Sequence, residues 1–184
     1  MKVVTIHTSP NEGGLTASLA EAASEGVREA GADTEMIKLT DREIEACRQC
    51  GNGWYKCREE GWCIIEDQFE EVRAAVQEAD AWIFVTPVYF GDLSESAKCF
   101  ADRLRRCNTG MKGDGLADKP VIGVAAAGGS GRGTATCLLA MDRLFGHISA
   151  EVADLITVTR RSAEYKREAV RAASRAMVEA IEKA

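Results

Sequence analysis

The sequence predicts an α/β fold on a doubly wound, five-stranded parallel sheet, and three observations carry that expectation. Strand-like and helix-like patterns alternate from one end of the chain to the other. The 184 residues suffice for one core, since a chain of this size buries about 70% of the surface it exposes when unfolded. The five repeating units are too few for an eight-stranded barrel, which needs roughly 250 residues. One domain spanning residues 1–184 is expected.

The first strand covers residues 2–7, where Val3, Val4 and Ile6 precede a loop with turn chemistry. Residues 15–30, rich in alanine and glutamate, form the first helix and stop before Gly31, suited to a left-handed cap. A second strand follows at 34–39. Residues 40–66 are irregular and rich in cysteine, glycine and charge, which reads as a functional insertion after that strand. Phe69, Val72, Ala75 and Val76 repeat at helical spacing within a helix at 67–79. The third strand, 81–86, runs into Pro87. Ser94 is placed to cap a helix at 94–107. A strand at 120–126, a helix at 133–147 and a strand at 152–158 come next. The closing helix, 162–183, carries Ala169, Val170, Ala173, Ala176, Met177, Ala180 and Ile181 as an apolar stripe expected to pack on the sheet. These elements fit the flavodoxin-like order 2-1-3-4-5, which places ligands at the carboxyl ends of the first and third strands.

A formal charge of −6 argues against nonspecific binding to nucleic acid, which relies on basic side chains displacing counterions. Arg103, Arg105 and Arg106 read as a solvated helix face. No apolar run reaches membrane-spanning length, and the N-terminus enters a strand directly, so a soluble, cytoplasmic protein without a membrane partner is expected. The seven cysteines are then expected to be reduced or metal-bound rather than disulfide-linked.

Three loops carry the chemistry. Pro87-Val88-Tyr89-Phe90-Gly91 ends a buried strand in a rigid rim that suits a planar heteroaromatic ligand such as a flavin: Pro87 fixes its own φ, Tyr89 and Phe90 bring apolar area, and Gly91 lets the backbone approach. A loop whose aromatics cover the core is the competing reading of that segment alone. Thr8-Ser9-Pro10-Asn11-Glu12-Gly13-Gly14-Leu15-Thr16 offers hydroxyls, free amides and a helix N-terminus to a phosphate monoester. It contains neither a Walker lysine nor Gly-x-Gly-x-x-Gly, and so suits flavin mononucleotide (FMN) better than ATP or a pyrophosphate. An ordinary strand-to-helix turn competes here too. Ala127-Gly128-Gly129-Ser130-Gly131 is the third loop, with glycine density that implies sharp turns or ligand contact.

Cys47, Cys50, Cys57 and Cys63 form a separate cluster that can surround a four-iron centre or tetrahedral zinc, or remain free thiols. Cys99, Cys107 and Cys137 fall in helices and read as core packing.

With these loops, Lys98 and Asp102-Arg103, nearly the whole chain resembles the NADPH-dependent FMN reductase and iron–sulfur flavoprotein family. That resemblance implies that Ser9 and Thr16 hold the FMN phosphate, that Pro87 to Gly91 border the isoalloxazine ring, and that Gly128 to Gly131 form its other edge. It also implies a homodimer or tetramer with the flavin near the interface. Two positions depart: Asn11 stands where arginine is usual and Leu15 where asparagine is usual. In the cysteine motif Gly53 occupies the usual third place, and Cys57 comes later. An iron–sulfur cluster (4Fe-4S) or zinc is the expected metal content.

Flavin chemistry demands no acid–base residue, and none is assigned. His7 reads as a hydrogen-bonded core histidine, His147 as a favourable charge at a helix end, and Lys98 with Asp102-Arg103 as organisers of a helix or dimer contact. The expected activity is an FMN-dependent NAD(P)H oxidoreductase passing electrons to a small acceptor such as a flavin or quinone. A noncatalytic flavin- or metal-binding electron carrier or redox sensor is the alternative.

Overall fold

The structure is a computed structural model that describes residues 1–109 and 115–183. Its sheet contains β1 (Lys2–His7), β2 (Asp33–Lys38), β3 (Ala81–Pro87), β4 (Pro120–Ala127) and β5 (Glu151–Thr159) in the order β2-β1-β3-β4-β5, every pairing parallel. The helices are α1 (Leu15–Glu29), α2 (Lys56–Glu59), α3 (Phe69–Glu78), α4 (Glu95–Asn108), α5 (Thr134–His147) and α6 (Ala163–Ile181). Among the described residues no helix is long and apolar enough to cross a membrane.

The period-two pattern of the central strands divides the core between two faces. Trp82 and Phe84 point towards α3, α4 and α5, where Phe69, Phe100 and Phe145 pack around them. Ile83 and Val85 point the other way, towards Leu19 and Val27 of α1 and Val170 and Val178 of α6. Both faces of β3 are therefore buried, which is why it reads as a continuous apolar run.

Three local outcomes differ from the sequence reading. Pro87 lies inside β3, paired with Ala126, because its missing donor is tolerated at the strand's last position. The stretch read as irregular over residues 40–66 opens on a 3-10 turn at Leu39–Asp41 and contains another at Gly51–Gly53 and the short helix α2. In α6 the buried face includes Val170, Ser174, Met177 and Val178, whereas Ala169, Ala176 and Ala180 are exposed. The face is rotated because α6 packs on α1 as well as on the sheet: a Cβ on Gly26 of α1 would lie 2.1 Å from the Arg171 carbonyl oxygen.

Candidate functional site

A buried hydroxyl network ties together the ends of β1, β3 and α4. Thr8 Oγ1 donates to Thr86 Oγ1 at 2.9 Å and lies 2.8 Å from Ser94 Oγ. Ser94 also caps α4 by accepting from the Ala97 amide at 3.4 Å, as its sequence position predicted. Ser96 donates to the Thr8 carbonyl, and the Thr8 amide to that of Val85. All of Thr8's polar groups are thus engaged inside the protein. Thr8, expected among the ligand contacts, is fully buried, and its hydroxyl holds the loop in place.

Beyond Thr8 the loop opens outward. Gly14 is the N-cap of α1 and provides no side-chain cap, so the first-turn amides of a 15-residue helix have no side-chain acceptor from the cap position. Ser9 and Thr16 are buried beside them, while Asn11 is exposed and Leu15 half-buried. The Asn11 amide donates to Ser9 Oγ, and Thr40 Oγ1 donates to the Ser9 carbonyl, fixing the arc from below. Amides, a helix N-terminus and two hydroxyls on this arc fit a phosphate monoester. Lys38, which the sequence reading overlooked, pairs with Asp41 at 2.9 Å and reaches Glu12 of this loop at 3.9 Å. Its signal was a lysine at the end of the strand adjacent to β1. His7 lies opposite Lys38 in the β1–β2 register, only 5% exposed, and its Nδ1 has no hydrogen-bond partner among the described residues. The hydrogen-bonded core histidine expected there is therefore half right: His7 is buried but unpartnered at Nδ1. Burial, assisted by the Lys38 charge, pushes its pKa below the ordinary value.

The loops after β3 and β4 meet. The Val88 amide donates to the Ala126 carbonyl at 2.9 Å, and Tyr89 and Asp92 exchange two bonds of 3.0 Å across a two-residue reversal. Phe90 (φ +49°) and Gly91 (φ +82°) both adopt left-handed geometry, as that tight turn requires. The Phe90 side chain is fully exposed. Thr136 Oγ1 donates to the Gly91 carbonyl at 2.6 Å, and a Cβ on Gly133 would fall 2.6 Å from Gly91 Cα. Only glycine permits that approach. Between the two loops lies a cleft of about 440 Å³, with Val88, Phe90 and Gly91 on one wall and residues 127–133 on the other. Its size falls in the range of small-molecule sites. Tyr89 stands outside the lining, 42% exposed, and Ser130 is exposed at the rim.

The four clustered cysteines are half-buried and line one small cavity together with Cys107, Arg103 and Arg106. Among the described residues no three ligating side chains stand close enough to hold a single metal ion. The loop that bears them is clamped to α4. Arg103, 1% exposed, binds both carboxylate oxygens of Asp67 at 2.5 and 2.9 Å and also donates to the carbonyls of Glu45 and Ile65, which flank the cysteines on either side. Its guanidinium lies 4.2 Å from the Phe69 ring centroid. Asp67 in turn accepts from the Glu45 and Phe69 amides. Burial alone would raise the Asp67 pKa; the hydrogen bonds from Arg103 and these amides outweigh it and hold the carboxyl below its usual range. Arg106 donates to the Gly53 carbonyl and lies 4.8 Å from the Trp54 ring centroid, which Arg58 and Arg105 approach at 5.7 Å. The basic run is therefore an anchor for the cysteine loop and not a solvated face. Cys107 and Cys137 are buried, their thiols pushed up to about 12 by desolvation, whereas Cys99 is only half-buried.

Fold and site together define a flavodoxin-like α/β protein with a strand-end ligand cleft. A family model described as NADPH-dependent FMN reductase matches residues 1–164, and the chain belongs to that family. It is 38% identical over 133 residues to an iron-sulfur flavoprotein of Methanocaldococcus jannaschii, covering 72% of this chain and 65% of that one. An iron-sulfur flavoprotein of Methanosarcina thermophila is 32% identical over 61% of this chain and 58% of its own. The chain thus spans under two thirds of the length of these curated relatives. Among solved structures, the NAD(P)H:quinone oxidoreductase of Methanothermobacter marburgensis superposes with a TM-score of 0.73 at 21% identity, covering 95% of this chain and 94% of that one.

Proposed function

We propose that this protein is an FMN-dependent NAD(P)H oxidoreductase that passes electrons to a small acceptor such as a flavin or quinone. The observations that carry the reading are the glycine-lined cleft between the β3 and β4 loops and the N-terminus of α1, without a side-chain cap, after the neighbouring strand β1. Ser9, Thr16 and the amides near Asn11, Gly14 and Leu15 bind the phosphate. Val88, Phe90, Gly91 and Ala127 to Gly131 enclose the ring system, with Pro87 and Tyr89 on the rim. When bound, FMN supplies the hydride and electron chemistry; the protein orients the ring and limits access to it.

The cysteine cavity supports a second redox centre. The four thiols that border one small cavity beside two guanidiniums would hold an iron–sulfur cluster (4Fe-4S), the reading that the names of the curated relatives favour, or zinc. Cys47 also borders a surface hollow with Asp92 and Leu93, next to the cleft residue Gly91. That adjacency favours the electron-carrier reading as an alternative, in which a protein donor replaces the nicotinamide nucleotide. A homo-oligomer belongs to the same proposal and would cover the exposed Phe90.

Anaerobic purification, a visible spectrum, iron analysis and nucleotide oxidation with a quinone acceptor test these readings. A released yellow cofactor together with NADPH or NADH turnover supports the enzyme. Flavin reduced only by a protein donor supports the carrier. A colourless protein that takes up no added FMN refutes both.

A further inference from the structure

The loop after β1 offers amides and hydroxyls to a phosphate but no positive side chain of its own. Residues 8–16 hold no lysine, arginine or histidine and include one carboxylate, Glu12. A cation stands instead on the neighbouring strand. Ser24 of α1 donates to Thr5 Oγ1 at 3.4 Å and accepts from Thr34 Oγ1 at 3.5 Å, so alternate residues of β1 and β2 face α1. His7 and Lys38, paired in register at the ends of those strands, continue that face towards the N-terminus of α1. His7 is buried with Nδ1 unpartnered, and burial together with the Lys38 charge favours its neutral form. Lys38 is the charged member of the pair, its pKa pushed up by the Asp41 hydrogen bond. Among the described residues it is the one basic side chain in an ion pair with this loop.

The two ion pairs of Lys38 are unequal. Asp41 holds Nζ at 2.9 Å, whereas Glu12 lies at 3.9 Å with its side chain 93% exposed. An exposed pair that loose contributes little stability. The turn after β2 touches the loop a second time, where Thr40 Oγ1 donates to the Ser9 carbonyl at 3.3 Å. Ser9 and Glu12 therefore both lie against residues 38–41, and the ammonium is tethered beside the arc of amides without belonging to it. We propose that Lys38 is the cation of the phosphate seat: it exchanges Glu12 for the FMN phosphate while Asp41 keeps it in place, and it thereby selects FMN over riboflavin. A phosphate monoester carries a charge of about −1.5 to −2 at pH 7 and accepts charge-assisted hydrogen bonds from an ammonium, so it displaces a single exposed carboxylate. Until then Glu12 occupies Lys38 and sets a like charge beside the seat, so the loop that receives the phosphate also opposes it. This inference rests on the FMN reading above and adds to it a residue that lies outside the three loops.

The test measures the affinities of FMN and riboflavin, by flavin fluorescence, for the full chain freed of cofactor and for its Lys38→Gln, Lys38→Arg, Glu12→Gln and Arg167→Gln variants. Lys38→Gln should weaken FMN by about tenfold or more and leave riboflavin within about twofold, and Lys38→Arg should restore most of the loss. Glu12→Gln should tighten FMN by about threefold, because the competitor for Lys38 is gone. Opposite signs at Lys38 and Glu12 separate an exchanged ion pair from a strut that only braces the loop. Weakening of both flavins by both variants is the strut's signature and overturns the inference. A loss in Lys38→Gln without a gain in Glu12→Gln overturns the exchange, and unchanged FMN affinity in Lys38→Gln overturns the whole. So does a tenfold loss in Arg167→Gln, whose guanidinium reaches α1 at Ser18 Oγ, 3.4 Å away, from α6. Riboflavin separates this failure from that of the parent reading. If the unmodified protein binds the two flavins equally well, the flavin reading stands and the inference falls; if it binds neither, both fall.

Discussion

Replacing Arg103 by methionine keeps most of the apolar stem and removes the guanidinium, so the change isolates the clamp. The Asp67 carboxylate, with a side chain only 6% exposed, would then retain the Glu45 and Phe69 amides but lose its counter-charge. Breaking one member of a buried pair costs about 3–5 kcal/mol, a large share of the roughly 5–15 kcal/mol typical of a domain. Arg103 also donates to the Glu45 and Ile65 carbonyls, so the loss should loosen the cysteine loop at both ends. Urea denaturation of Arg103→Met, Asp67→Leu and the double variant measures the effect. We expect each single variant to lose about 3 kcal/mol or more, and the double variant to recover about 2 kcal/mol relative to additivity. Thiol titration with a disulfide reagent should show Cys47, Cys50, Cys57 and Cys63 reacting faster in Arg103→Met, with Cys107 and Cys137 still protected. A loss below about 1 kcal/mol with unchanged thiol kinetics would refute the clamp.

Gly133→Ala places a Cβ 2.6 Å from Gly91 Cα at φ +82°, so it should cost at least about 1–2 kcal/mol by denaturation and weaken FMN binding by tenfold or more; unchanged affinity would show that the loops do not form the flavin site. Phe90→Gly should be neutral or stabilising by up to about 1 kcal/mol in the monomer, because the ring is fully exposed and its backbone is left-handed; a clear destabilisation measured in dilute solution would contradict that exposure. Stability should fall in two acid windows. His7 has a depressed folded pKa, so its contribution is complete above the unfolded value near 6.5 and declines as pH drops below it; Asp67, likewise depressed, contributes fully above about pH 4 and is lost further down. His7→Gln should flatten the first window alone and Asp67→Asn the second, read from denaturation midpoints against pH.

The fold was legible because burial imposes alternation: a strand covered on both faces cannot hide Trp82-Ile83-Phe84-Val85 among polar residues. The candidate loops were legible for a related reason, since glycine, proline and hydroxyl residues gather where strands end. What escaped were partnerships between distant positions. Thr8 reads locally as a ligand hydroxyl, and its bonds to Thr86 and Ser94, 78 and 86 positions away, were not visible there. Arg103 looked solvated because Arg105 and Arg106 follow it closely in sequence, whereas its partner Asp67 is 36 residues back. The α6 stripe was misjudged by one residue because its small alanines fit either face, and Gly26 of α1 decided which one was buried. Nothing in local composition marked Phe90 as left-handed; that follows from the two bonds between Tyr89 and Asp92.

The contact between Gly91 and Gly133, latched by the Thr136 hydroxyl, makes the two jaws of the cleft a single casting. At that contact their spacing is set by main chain and not by a rotamer. A guest is screened by its thickness before its outline is read, and mutations around the periphery can retune what enters while the gap itself keeps its calibre.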